Sequence, residues 1–342
     1  MTENLAQHTT FRVGGPARRL VTARTETQLA ETVRDCDRRG EPVLILGDGS
    51  NTLVGDAGFD GTAVLVRTDG VRQSQPTSAR VEWTIAAGES WDGVVARAVE
   101  AGLAGVEALS GIPGRAGATP VQNVGAYGQE VASAIGRVRV WDRRENSEVR
   151  LAAAECGFGY RTSRFKREPG RYLVLDVTLL LEPSVRSSAR YPELAARLGL
   201  AADEPATLAR IRAAVLELRR SKGMVLDDAD HDTWSAGSFF TNPVVPPRAA
   251  DRLPQDVPRY PAPDGQVKTS AAWLIEHAGF ARGHGGPQAA LSGKHVLALT
   301  NRGQATAADI LALAREVRDG VRARFGVELV PEPVFVGCSL DG

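Results

Sequence analysis

Two stretches of the chain put bare backbone beside small polar side chains, a combination suited to holding a large polar ligand. The first is Leu46-Gly47-Asp48-Gly49-Ser50-Asn51. Its glycines let backbone N–H groups approach an anion, and Ser50 and Asn51 add hydrogen-bonding side chains. The spacing is not GxGxxG, because Thr52 stands where a third glycine would be, so a Rossmann dinucleotide site is not indicated. Taken alone, the stretch also reads as an ordinary turn between two elements. The second stretch, Gly111 to Gly128, has five glycines and two prolines in eighteen residues. A structureless loop of that length is unusual inside a domain and is usually functional. Gln122, Asn123 and Tyr127 supply polar groups, while Ile112, Val121 and Val124 give it apolar anchors that a disordered linker lacks.

Regular elements must position these loops. Thr25-Glu-Thr-Gln28 is a capping box that opens a helix carrying Leu29, Val33 and Cys36 and stopping at Gly40. The strand Val43–Leu46 then runs straight into the first glycine turn, and Ala63–Val66 completes a small α/β unit. A strand from Val81 to Ala86 and a helix with Trp91, Val94, Val95, Ala98 and Val99 on one face precede the long loop. Strands at Val138–Trp141 and Tyr172–Leu181 and a helix with Leu208, Ile211, Val215 and Leu218 follow it. From about Arg219 the chain turns to short elements rich in glycine and proline, then to a long helix carrying Ile310, Leu311, Leu313, Val317, Val321 and Phe325. The expected division is three domains: residues 1–66 with the tail 327–342, residues 67–218, and residues 219–326. Domains that share an interface usually leave a cleft.

The 41 basic and 41 acidic side chains balance, which gives no support to nucleic-acid binding. Cys36, Cys156 and Cys338 are odd in number and far apart, and neither they nor the five histidines show metal spacing. A reducing, cytoplasmic setting is expected. No segment approaches the roughly 20 apolar residues of a membrane span, and a monomer without membrane attachment is expected.

Ile112-Pro-Gly-Arg-Ala-Gly117 with Pro120-Val-Gln-Asn-Val-Gly-Ala-Tyr-Gly128 resembles the flavin-binding signature of the UDP-N-acetylenolpyruvoylglucosamine reductase family. The resemblance continues through Thr9-Thr-Phe-Arg-Val-Gly-Gly-Pro16, Leu44–Asn51, Phe158-Gly-Tyr-Arg161, Gly237-Ser-Phe-Phe-Thr-Asn-Pro243 and Gly265–Ile275, six blocks in the family's order. It implies an α+β fold: a two-subdomain FAD-binding half of the vanillyl-alcohol-oxidase type, with a third α+β domain binding substrate. It implies non-covalent FAD, NADPH as electron donor and UDP-N-acetylglucosamine enolpyruvate as substrate. Hydride would reach C3 of the enolpyruvyl ether, and an acid would protonate C2 of the resulting enolate.

Residue by residue, the resemblance implies that Arg161 holds the substrate carboxylate, that Ser238 is the proton donor to C2, and that Glu332 shares a proton with the enol or carboxylate oxygen. Many relatives carry a second glutamate where this chain has Val330, so only Glu332 can act. The flavin contacts implied are Leu46, Gly47, Gly49, Ser50, Asn51, Ile112, Pro113, Gly114, Gly117, Ala118, Gln122, Asn123, Gly125, Ala126 and Tyr127. Those to substrate are Tyr160, Tyr191 in a loop that folds over the UDP group, Arg219 or its neighbour Arg220, Lys222, Asn242, Lys268 and His295. Trp273 is expected to pack. Two other readings fit the fold: a flavin oxidase with histidine-linked FAD, opposed by the lack of a histidine beside either glycine loop, and a UDP-sugar binder without catalysis, opposed by the presence of Arg161, Ser238 and Glu332.

Overall fold

The computed structural model describes residues 4–77, 79–201 and 203–341, apart from the side chains of Gln75 and Pro76. Contacts gather the chain into two compact units, residues 18–48 with 60–221 and residues 1–17 with 49–59 and 222–342. The chain therefore crosses from one unit to the other inside the first glycine turn, between Asp48 and Gly49.

In the unit of residues 18–48 and 60–221, the helix Glu26–Arg38 begins where its cap predicts. The Thr25 side chain accepts from the Gln28 N–H at 3.1 Å, and Leu29, Val33 and Cys36 are fully buried. It packs beside a three-stranded sheet in which Val43–Leu46 runs parallel to Phe59–Val66, with Leu46 opposite Leu65. A larger antiparallel sheet follows the spatial order Ser147–Ala152, Ile135–Asp142, Tyr172–Pro183, Arg80–Ala86, Val71–Thr77. Its central strand, Tyr172–Pro183, is apolar and buried along most of its length, as a strand covered on both faces must be. Sequence reading passes over the two outermost strands because their residues are polar and half-exposed, which is how a sheet edge keeps itself from pairing further. The helix Trp91–Glu100 is capped by Ser90 and buries Trp91, Val94, Val95 and Ala98 in the core. A smaller apolar cluster, Leu194, Ala195, Ile211 and Val215, joins the helices Pro192–Leu198 and Leu208–Ser221.

The unit of residues 1–17, 49–59 and 222–342 is organised round the helix Ala307–Phe325, whose Thr306 and Asp309 form a capping box. Ile310, Ala314, Val317 and Val321 are buried with Phe11, Leu53, Phe239, Leu274 and Leu329. Around them lie short paired strands, among them Thr52–Val54 running parallel to Val334–Val336. Trp273 packs as expected, stacked on His277 with ring centroids 3.7 Å apart and tilted against Phe325. No helix among the described residues is long and apolar enough to cross a membrane.

Candidate active site

The long glycine loop is ordered by hydrogen bonds within it and to its neighbours. Its residues Ala116–Ala118 form a turn of 3₁₀ helix, tied down where Ala116 N–H donates to Glu89 O at 2.9 Å and Gly117 N–H to Ala87 O at 2.8 Å. A side chain at Gly117 has no room, since a Cβ there would lie 2.5 Å from the Cβ of Ala87. Gly114 has φ +117°, a conformation L residues rarely adopt. Asn123 and Tyr127 also have positive φ, near 49° and 48°, as does Arg161 at 51°. Non-glycine residues held in this region cluster at ligand sites, because packing must over-determine them.

Asn123 shows how that is done here. It is almost fully buried, its Oδ1 accepts from Ala132 N–H at 3.1 Å, and its Nδ2 donates to Glu130 at 2.8 Å and to Gly159 O at 3.0 Å. Its amide therefore binds the loop to the Phe158–Arg161 turn, and what it offers a ligand is the loop's shape. Arg161 lies on the same join: its Nη2 donates to Gly125 O at 2.8 Å, and its guanidinium stands 5.5 Å from the half-exposed Tyr160 ring. A Cβ on Gly125 would come within 3.1 Å of Arg161 Nη1, so the glycine makes space for the guanidinium.

The first glycine turn meets the second through a residue that sequence reading overlooked. Arg115 Nε donates to Asp48 at 2.7 Å, and its Nη1 donates to Gly88 O at 3.1 Å. Arg67 adds Nη1 to Gly47 O at 3.0 Å and an ion pair with Asp48 at 3.2 Å. Leu46 is buried in its sheet and Ile112 packs on the core, so both position backbone. Pro113, Gly114, Gln122 and Ala126 remain partly accessible and Ala118 exposed, which leaves a lined surface along the loop.

At the far end of this loop, Tyr127 meets Tyr191 edge-on, ring centroids 5.7 Å apart. Burial pushes the Tyr127 phenol up to about 12. Arg219 is buried against Gly111, and its burial pulls the guanidinium down to about 10, while Arg220 is exposed. Of the two arginines, Arg219 is the one packed against the loop. Asp92 organises the same corner, accepting from Gly111 N–H at 2.6 Å and from both Arg212 nitrogens at 2.6 and 2.9 Å. Although burial opposes it, these bonds hold its carboxyl below the usual range.

In the other unit, four distant segments join in one row. Phe239 N–H donates to Leu297 O at 2.8 Å, Glu332 N–H to Phe239 O at 2.8 Å, Asn51 Nδ2 to Glu332 O at 3.1 Å, and Val334 N–H to Asn51 O at 2.9 Å. Ser238, next to Phe239, stands 3.5 Å from His295 Nε2. Ser50, Asn51, Ser238, His295 and Glu332, all partly accessible, are thus gathered by backbone pairing. Gly49 is wedged against the carbonyl of His8. The contact is with the main chain of His8, across a gap in sequence that no motif spans. Asn242 and Lys268 lie further along. Asn242 Oδ1 caps the helix Ala271–His277 by accepting from Ala271 N–H at 3.0 Å, and Lys268 sits in a small sheet opposite Val244 and Tyr260, 6.0 Å from the Tyr260 ring. Lys222, half-buried, begins this part of the chain.

One unit thus offers a glycine loop beside Arg67, Arg115 and Arg161, and the other gathers Ser238, His295 and the main chain of Glu332. No group of three or more metal-ligating side chains occurs among the described residues. The FAD binding domain family matches residues 17–150, and the C-terminal domain family of UDP-N-acetylenolpyruvoylglucosamine reductase matches residues 228–336. The chain is 54% identical to the UDP-N-acetylenolpyruvoylglucosamine reductase of Cutibacterium acnes, covering 98% of this chain and 90% of that one. It is 55% identical to that of Streptomyces coelicolor with the same two coverages. A crystal structure of the reductase from Thermus caldophilus aligns with a TM-score of 0.66 and 27% identity, over 98% of both chains.

Proposed function

From the premise that this chain belongs to the UDP-N-acetylenolpyruvoylglucosamine reductase family, we propose that it reduces UDP-N-acetylglucosamine enolpyruvate to UDP-N-acetylmuramate with electrons from NADPH, in the cytoplasmic synthesis of peptidoglycan precursors. The observation that carries the reading is the row Leu297–Phe239–Glu332–Asn51, which sets the proposed acid Glu332 beside the residue that follows Ser238.

FAD would be held by Leu46, Gly47, Gly49, Ser50 and the loop from Ile112 to Tyr127, with Asn123 and Arg115 keeping that loop in shape. The fit rests on the close-packed Gly117, the left-handed residues of the loop and its partly accessible backbone. The chemistry such a flavin supplies is storage of a hydride between two half-reactions.

Arg161 would bind the substrate carboxylate. Its permanent charge and planar fork suit an oxygen on which negative charge grows during reduction, and its anchorage on Gly125 O means that it need not reorganise as the charge develops. Ser238 would deliver the proton to C2, and Glu332 would share a proton with the enolate oxygen. Tyr160, Tyr191, Arg219, Lys222, Asn242, Lys268 and His295 would hold the sugar nucleotide, whose diphosphate needs cations. In this reading residues 219–326 serve substrate and the remainder serves flavin.

Anaerobic addition of NADPH to the purified yellow protein should bleach the flavin band near 450 nm, and the enolpyruvyl sugar should restore it. Acid precipitation should leave the flavin in the supernatant; flavin retained in the pellet would mean covalent attachment. A protein that cannot be reconstituted with FAD, or a band that the sugar does not restore, overturns the reading.

A further inference from the structure

Glu332 lies between Pro331 and Pro333. Proline has no N–H, so neither neighbour can tie this segment down by donating a hydrogen bond. What fixes the Glu332 peptide is on its two sides. Its N–H donates to Phe239 O at 2.8 Å, one residue from Ser238, and its carbonyl accepts from Asn51 Nδ2 at 3.1 Å. Asn51 is itself held from behind, since Val334 N–H donates to its carbonyl at 2.9 Å and Thr52–Val54 pairs with Val334–Val336.

We infer that Asn51 is a positioning residue for the proton-transfer chemistry: its side chain fixes the main chain of Glu332 and so sets where that carboxyl points relative to Ser238. The inference rests on the role given to Glu332 above and adds a brace to the cofactor contact expected of Asn51. The physical reason is that the segment is anchored at Val330 by Thr241 and at Val334 by Asn51 O, so the Asn51 side chain sets the peptide between those anchors, where a displacement of about 1 Å can cost about 100-fold in rate. The first glycine turn and the segment that carries Glu332, 281 residues apart, are tied together in this way.

The test compares Asn51→Ala, Glu332→Gln and the double variant by anaerobic stopped flow, following reoxidation of reduced flavin by the enolpyruvyl sugar as a rate per bound flavin, with flavin content measured separately. Asn51→Ala should slow this step about 10- to 100-fold. In the Glu332→Gln background, with no acid left to aim, the same change should matter by less than about threefold. Asn51→Asp, equal in shape, keeps the question open to experiment if the alanine variant does not fold: it should be slow at neutral pH, where its carboxylate cannot donate, and recover in part in acid. If Asn51→Ala is equally damaging with and without Glu332, or if its loss is accounted for by missing flavin, the brace is disproved while the reading of Glu332 stands. If Glu332→Gln is as fast as the native enzyme, that reading fails and the inference fails with it.

Discussion

The long glycine loop and the Ser238–Glu332 row solve one problem in opposite ways. In the loop, residues 116–124 bond partly to one another and otherwise to segments no more than 42 residues away, among them Ala87, Glu89, Glu130, Ala132, Gly159 and Ser163. In the row, the segments round Asn51, Phe239, Leu297 and Glu332 come from different parts of the chain, and a few backbone and amide hydrogen bonds join them, Thr241 N–H to Val330 O among them. A site built from neighbours carries its own shape wherever the chain folds locally. A site built from distant strands exists only when the whole unit is assembled, so it is the more easily disturbed by single changes that leave the fold intact.

The contrast can be broken most sharply at Ser238. Ser238→Ala removes a single hydroxyl, 3.5 Å from His295 Nε2, so sugar-dependent reoxidation of the flavin should fall by about 10² to 10⁴, while reduction by NADPH and flavin content persist. Equal loss of both half-reactions would show that Ser238 holds the site together instead. Arg161 tests the border between the two designs, because it is hydrogen-bonded to the loop at Gly125 and is proposed to act in the chemistry. Arg161→Lys keeps charge and loses the planar fork, and should slow the sugar-dependent step about tenfold to a hundredfold; turnover equal to native would remove its proposed role.

Gly117→Ala puts the question to the loop itself. With the new methyl 2.5 Å from Ala87, the loop should lose about 1–3 kcal/mol of stability, seen as a lower denaturation midpoint and weaker flavin retention. Unchanged stability would mean that the loop yields more readily than its packing suggests.

The smallest effect is expected at Tyr127. An unfolded tyrosine titrates near 10, and burial raises this one to about 12. Between those values the unfolded chain gives up its proton first, so Tyr127 contributes stability that is full below pH ~10 and is lost as pH rises toward ~12. Of five tyrosines, the one that ionises last by ultraviolet absorbance should disappear in Tyr127→Phe. A last step that survives the substitution would place the buried phenol elsewhere.

The sequence by itself determined the local pieces: the Thr25 cap, the apolar faces of the helices round Trp91 and Ile310, the strand Tyr172–Leu181, and the length and composition of the glycine loop. Each rests on residues close together in the chain, where periodicity and capping act. The tertiary structure alone decided what depends on meetings at long range. Among these are the ties of Arg115 and Arg67 to Asp48, the burial of Arg219 rather than Arg220, the arrival of His8 at Gly49, and the main-chain grip of Asn51 on Glu332. A pairing between residues 51 and 332 leaves no periodicity in either segment. It is fixed only by which buried faces meet once the Ala307–Phe325 helix has drawn Phe11, Leu53, Phe239 and Leu329 into one core.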